Sequence, residues 1–173
     1  IPAGAPFDPY TLDDASLSFA WDTVMQTADG QWIERDIDLA VGDFDGDRRV
    51  DLAIGTSAET LDSENGYPRL LQDTGYVHMI WDLREHLGST LQLTTSLAGA
   101  SDLDGDGFMD MTRINGSFAG DRFGSTLAAM DCGGDVREEL LIGARTANVV
   151  ADDILVDAGK LYMVGGSRRG TFL

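Results

Sequence analysis

A nine-residue phrase of aspartate and glycine recurs along this chain, and it constrains the fold more than any other feature. The first copy is Asp43-Phe-Asp-Gly-Asp-Arg-Arg-Val-Asp51 and the second is Asp102-Leu-Asp-Gly-Asp-Gly-Phe-Met-Asp110. The third, Asp131-Cys-Gly-Gly-Asp-Val-Arg-Glu-Glu139, is degenerate. Each copy runs into a short apolar stretch, at residues 52–55, 111–114 and 140–143. The first and third continue to a second related segment, at 75–80 and 159–164, and Leu87-Gly-Ser-Thr90 matches Phe123-Gly-Ser-Thr126 ahead of the second and third. Phrases that recur in a fixed order mark a repeat architecture. The spacing is uneven: 59 residues separate Asp43 from Asp102, but only 29 separate Asp102 from Asp131. The middle copy has no counterpart of the 75–80 segment.

Between these loops the pattern is that of short strands. Leu17, Phe19 and Trp21 alternate with small or polar neighbours, and Asp29-Gly30 offers a hairpin turn before a strand at 32–41. Further strands are predicted at 50–55, 76–82, 89–98, 108–114, 125–130, 139–144 and 160–164, separated by Gly, Asp, Asn and Ser. Residues 82–87 fit one helical turn, and 57–74 and 145–158 read as excursions between strands. The chain is expected to be one repeat domain over 1–173. Its repeats fall at about 33–86, 87–122 (incomplete) and 123–173, with 1–32 as an N-terminal strand and extension.

Charge narrows the range of functions. Thirty acids, 24 of them Asp, face twelve bases, and the net charge is −18. Such a chain has no surface for neutralising phosphates, which excludes nucleic acid and anionic membrane as expected partners. No apolar run approaches the ~20 residues of a membrane-spanning helix, which predicts a soluble chain. The single Cys132 rules out an internal disulfide framework and a thiolate zinc site. The chain begins at Ile1 and is expected to be a processed or excised product.

The acidic loops have the chemistry of hard-cation sites. Asp43, Asp45, Asp47 and Asp51 hold positions 1, 3, 5 and 9 of the first loop, and Asp102, Asp104, Asp106 and Asp110 those of the second. A glycine at position 4 turns the backbone sharply enough to aim these carboxylates at one point. Calcium takes six to eight oxygens in forgiving geometry, at about 2.3–2.6 Å, and relieves the repulsion. A backbone carbonyl from position 7, Arg49 or Phe108, would complete the set; magnesium, with stricter geometry, is the weaker candidate. An EF-hand would need Glu at position 12 and flanking helices. Position 12 is Ile54 or Arg113 instead, and the flanks read as strands. In the third loop Gly133 stands at position 3 and Glu139 at position 9. Asp131, Asp135 and Glu139 therefore form a weaker third candidate beside two stronger calcium sites.

These phrases resemble FG-GAP repeats, the calcium-bearing blades of integrin-α-like propellers and related bacterial repeats. The resemblance covers about residues 35–165. It rests on Phe123-Gly124, the Asp-rich loops, the apolar 140–144 run and Gly159-Lys-Leu-Tyr-Met163. It implies an all-β fold of antiparallel four-stranded blades, with calcium in the loop joining the first two strands. Two full repeats and a fragment do not close a ring of four to eight blades, so the chain is expected to belong to a longer protein, to assemble with other copies, or to stay open.

Other short motifs are read structurally. Asp14-Ala-Ser-Leu-Ser18 imitates a metal-adhesion signature by chance, and Asn115-Gly-Ser117 is a turn as readily as a glycosylation sequon. His78 and His86 have no second histidine at ligand spacing. Trp21, Trp32 and Trp81 are expected to pack between sheets rather than form a sugar platform, and Cys132 lacks a nearby base. The phased carboxylates are at metal spacing rather than poised as a glycosidase pair. The resulting expectation is a noncatalytic, extracellular or cell-surface calcium-binding module whose partner is a protein, a glycan or another copy of itself. The alternative is the propeller portion of a secreted hydrolase or lyase acting on polysaccharide or lipid.

Overall fold

A computed structural model describes residues 17–21, 36–57, 74–93, 100–103, 105–150 and 154–165. Among them the chain is nearly all β. The strands are β1 (Ser18–Trp21), β2 (Ile37–Gly42), β3 (Asp51–Thr56), β4 (Tyr76–Ile80), β5 (Thr90–Leu93) and β6 (Ala100–Ser101). They continue with β7 (Met111–Asn115), β8 (Phe123–Met130), β9 (Glu139–Ala144), β10 (Val149–Val150), β11 (Ile154–Leu155) and β12 (Lys160–Val164). A single 3-10 turn, Leu83–His86, is the only helical element among the described residues.

The central sheet has the order β2-β3-β4-β7-β6, and all its pairings are antiparallel. The hairpin β6-β7 of the middle repeat thus extends the sheet of the first repeat, with Met111 opposite Ile80 and Asn115 opposite Tyr76. A second antiparallel sheet, β8-β9-β12, belongs to the third repeat. Two short pairs accompany them. β10 and β11 form a hairpin within the 145–158 excursion, and β1 runs parallel to β5, with Phe19 opposite Leu91. No ring closes among the described residues. Trp32 and the segments 22–35, 58–73 and 94–99 lie outside them.

The layers are held by two apolar clusters on opposite faces of the central sheet. One face gives Ala40, Ala53, Val77 and Met79, which pack against Phe123, Leu140, Ile142 and Ala144 of the second sheet. The other face gives Leu52, Ile54, Ile80 and Met111, which meet Leu91 and Leu93, with Leu17 and Phe19 alongside. Strand alternation puts Ala53 on one face and its neighbours Leu52 and Ile54 on the other. Each fully buried large aliphatic or aromatic side chain contributes roughly 1.5–3 kcal/mol, so these two seams hold the strand stack together.

The Phe-Gly phrase locks one seam. Phe123 is buried, and its N–H donates to Thr74 O at 2.9 Å. Gly124 has φ +81°, and a Cβ there would stand 2.8 Å from Tyr76 O. Only glycine lets β8 approach the central sheet so closely. Across the seam Leu127 N–H donates to Asp38 Oδ2 at 2.6 Å, and Arg145 pairs with Asp36 at 2.7 Å.

Candidate metal centre

The three acidic loops join β2 to β3, β6 to β7 and β8 to β9, and all lie at one end of the layers. The first loop touches the third: Glu138 N–H donates to Asp43 O at 3.0 Å, and Asp43 N–H donates to Glu138 Oε2 at 2.8 Å. It also touches the segment after β4, where Leu83 N–H donates to Val50 O at 2.8 Å. The second loop reaches the same segment, since Trp81 N–H donates to Asp110 O at 2.9 Å.

One hydrogen-bond plan folds all three loops. The position-1 carboxylate accepts from the N–H of positions 4 and 6. Asp43 takes Gly46 and Arg48 at 2.7 and 2.9 Å, Asp102 takes Gly105 and Gly107 at 2.6 and 3.0 Å, and Asp131 takes Gly134 and Val136 at 2.5 and 3.3 Å. Position 5 accepts from position 7, in the pairs Asp47 with Arg49, Asp106 with Phe108 and Asp135 with Arg137. Position 9 accepts from position 2, in the pairs Asp51 with Phe44, Asp110 with Leu103 and Glu139 with Cys132. Positions 4 and 6 are left-handed throughout: Gly46 and Arg48 at +81° and +70°, Gly105 and Gly107 at +82° and +92°, Gly134 and Val136 at +70° and +69°. Val136 is the strained member, because a β-branched side chain in that region crowds its own backbone.

In the first loop Asp43, Asp45 and Asp51 converge, each offering an oxygen within 4.8 Å of the others. Asp51 is buried. Its Oδ2 accepts from Phe44 and its Oδ1 from Asp82 N–H at 3.0 Å. Burial pushes its carboxyl up to about 7, against the lowering effect of those two N–H groups and with Asp45 and Asp47 adding to the rise. Asp45 is also raised, first by burial and then by Asp47 and Asp43, although the Asp47 N–H opposes it. Anions crowded at raised pKa values favour either protons or a cation. Asp47 is not among the three that converge, and its carboxylate lies 3.7 Å from Arg49 Nε. The Arg49 guanidinium reaches on to Asp82 at 3.1 Å and Glu85 at 2.6 Å.

The second loop keeps Asp102, Asp106 and a buried Asp110 in the same plan with an exposed Phe108, while Asp104 lies outside the described residues. In the third, Asp131 and Asp135 are exposed and Glu139 half-buried. Among the described residues the convergence of three carboxylates occurs in the first loop alone.

Residues 37–78 match the FG-GAP repeat family. The match takes in β2, the first acidic loop, β3 and the start of β4. The match spans 42 of the 173 residues, and the antiparallel strands of that stretch are consistent with an FG-GAP-type blade. No curated protein matches the chain.

Two acids at this end were not legible in the repeat phrase. Asp82, left-handed at φ +50° after β4, is buried and ties Asp51 to Arg49. Glu138 holds the backbone of Asp43 but occupies position 8 of its own loop, where the motif asks for nothing. The remaining candidates have structural surroundings. His86 Nε2 lies 3.1 Å from Trp81 O, His78 is buried edge-on to Tyr76, and Trp81 is buried with Nε1–H donating to Thr112. The exposed Cys132 thiol is held above its ordinary value by desolvation, then by Glu139 and Asp131, which disfavours a reactive thiolate. Asn115 is the half-buried last residue of β7.

Proposed function

We propose that this chain is a noncatalytic, calcium-binding module of FG-GAP-type blades that works outside the cell or at its surface in binding a partner. The convergence of Asp43, Asp45 and Asp51 on one point, with Asp51 buried, carries this reading. The donor set is all oxygen, as calcium prefers, and no imidazole or thiolate of the described residues joins it. Asp43, Asp45, Asp47 and Asp51 with the Arg49 carbonyl would hold the first ion. Asp102, Asp104, Asp106 and Asp110 with the Phe108 carbonyl would hold a second. The third loop, short of a position-3 carboxylate, would hold one more weakly through Asp131, Asp135 and Glu139.

When bound, calcium supplies charge neutralisation. The chain's own residues shape the loops, and the loops fix the strand ends that carry the exposed surface. Multi-carboxylate loops of this kind suit the millimolar calcium of extracellular fluids, which supports the placement. Calorimetric titration of the chelator-treated protein tests the reading. Two strong sites and a weaker third are expected, and no heat of binding at millimolar calcium would sink it.

A further inference from the structure

We propose that the cleft between the first acidic loop and the 3-10 turn binds an extended acidic peptide in which carboxylates alternate with aliphatic side chains. The cleft encloses about 710 Å3, within the range of roughly 300–1,000 Å3 usual for ligand sites. Its walls are Arg48, Arg49 and Val50 on the loop, and Leu83, Arg84 and Leu87 on the turn and just after it. Three of the chain's twelve bases therefore meet in one place on a molecule of net charge −18.

Their charges are not equally committed. Asp82 and Glu85, which also line the cleft, pair with Arg49 and more than offset its charge, so three arginines against two carboxylates leave the lining at +1. Arg48 and Arg84 are exposed and form no ion pair among the described residues. Two guanidiniums are thus available to grip carboxylates in bidentate fashion. In the same lining Val50 and Leu87 stand 52% and 54% exposed, apolar surface that suits aliphatic side chains. Val50 and Leu87 offer the hydroxyl-rich rings of a polyuronate no hydrogen-bond partner, and no aromatic residue lines the cleft.

The walls are rigid at their base. Arg48 is fixed in its left-handed turn by its N–H to Asp43, and the Leu83–Val50 backbone bond joins the two sides. A preformed site loses less freedom on binding. Salt screens the distant negative charge beyond about 8 Å at physiological ionic strength, while the carboxylates of the first loop lie closer and weaken binding most in chelator. Contact with the two free guanidiniums then decides. The proposal rests on reading the chain as a binding module and does not require the cation.

The test is fluorescence anisotropy with a labelled peptide of about eight residues alternating Asp and Leu, in millimolar calcium and again in chelator. Saturable binding is expected in at least one condition. The double variant R48E/R84E should weaken it about tenfold or more, and L87S several-fold. All three positions are exposed, so urea unfolding midpoints should match the parent and show that the fold is kept. An Asn-for-Asp peptide should bind at least tenfold more weakly. The proposal is overturned by absence of binding in both conditions, by equal affinity for the Asn peptide, by an unchanged double variant, or by an oligouronate that outcompetes the peptide. Calcium calorimetry on the same preparation reports separately on the cation sites.

Discussion

Asp51→Asn should make the chelator-treated protein more stable at neutral pH and less stable in acid. The unfolded carboxyl titrates near 3.8, and burial raises the folded one to about 7. The folded state therefore keeps a proton between those values that the unfolded state has released. Stability from this group is fully present below pH 3.8 and is lost as pH rises through about 7. One pKa unit is worth about 1.4 kcal/mol, so the ionised buried carboxylate costs roughly 4 kcal/mol above pH 7. Asparagine removes that cost. Its amide keeps one acceptor, so one of the two N–H groups, of Phe44 or of Asp82, loses its partner, a loss of about 1 kcal/mol. The variant should then exceed the parent by about 3 kcal/mol above pH 7 and fall below it by about 1 kcal/mol under pH 4. Urea unfolding followed by tryptophan fluorescence from pH 3 to 8 in metal-free buffer measures the difference. In millimolar calcium the order at neutral pH should reverse, because the variant lacks a charged ligand. A stability difference in metal-free buffer that stays flat across pH 4–7 would refute the reasoning.

Calcium should raise the melting temperature, since a hundredfold excess over Kd contributes about 2.7 kcal/mol. Asp45→Ala and Asp104→Ala should each remove one strong site in calorimetry, and Asp131→Ala should cost less; finding the third loop tightest contradicts this ranking. Val136→Gly should stabilise the protein by about 0.5–1 kcal/mol, the left-handed strain outweighing the entropy that glycine adds to the unfolded chain; urea denaturation showing a loss would remove the strain argument. Met130, Leu161 and Met163 stand 47%, 69% and 62% exposed, and sedimentation in millimolar calcium should show self-association that L161D reduces. A monomer at high concentration would count against it.

The loops and the strands beside them were legible because each has a local cause. Glycine and aspartate at fixed offsets dictate the turn, and an apolar run after each turn dictates a strand, so β3, β9 and β12 fall within a residue of expectation. The short pairs were not legible. Val149–Val150 and Ile154–Leu155 look like an excursion because two-residue strands have no periodicity to read. The parallel partnership of β1 with β5 joins residues 72 apart in sequence, as Ser18 with Thr90, and no pattern within either strand names the other. The middle repeat was legible as a fragment but not in its placement: Met111–Asn115, with Ala100–Ser101 beyond it, extends the sheet begun by the first repeat. At the candidate metal centre the carboxylate phrase was plain, but Asp82 acts from outside it and Glu138 from a position of the third loop that the phrase leaves open. Their roles come from where β4 ends and how the third loop docks, which are properties of the packed layers.

The third loop separates what folds such a turn from what binds through it. It lacks the position-3 carboxylate, yet its backbone follows the same plan, with Asp131, Asp135 and Glu139 accepting the corresponding N–H groups and positions 4 and 6 left-handed. Positions 1, 5 and 9 are therefore sufficient for the shape. Asp45, at position 3 of the first loop, makes one bond of its own, from Asp47 N–H at 3.1 Å, and the third loop forms without its equivalent. In exchange it brings a third carboxylate against Asp43 and Asp51 and is itself raised by burial and by its acidic neighbours. A residue that adds electrostatic cost while the fold can dispense with it is what the cation reading expects. Position 3 is thus where the cation reading and a purely structural reading part. Losing Asp45 should change ion affinity far more than it changes the shape of the loop.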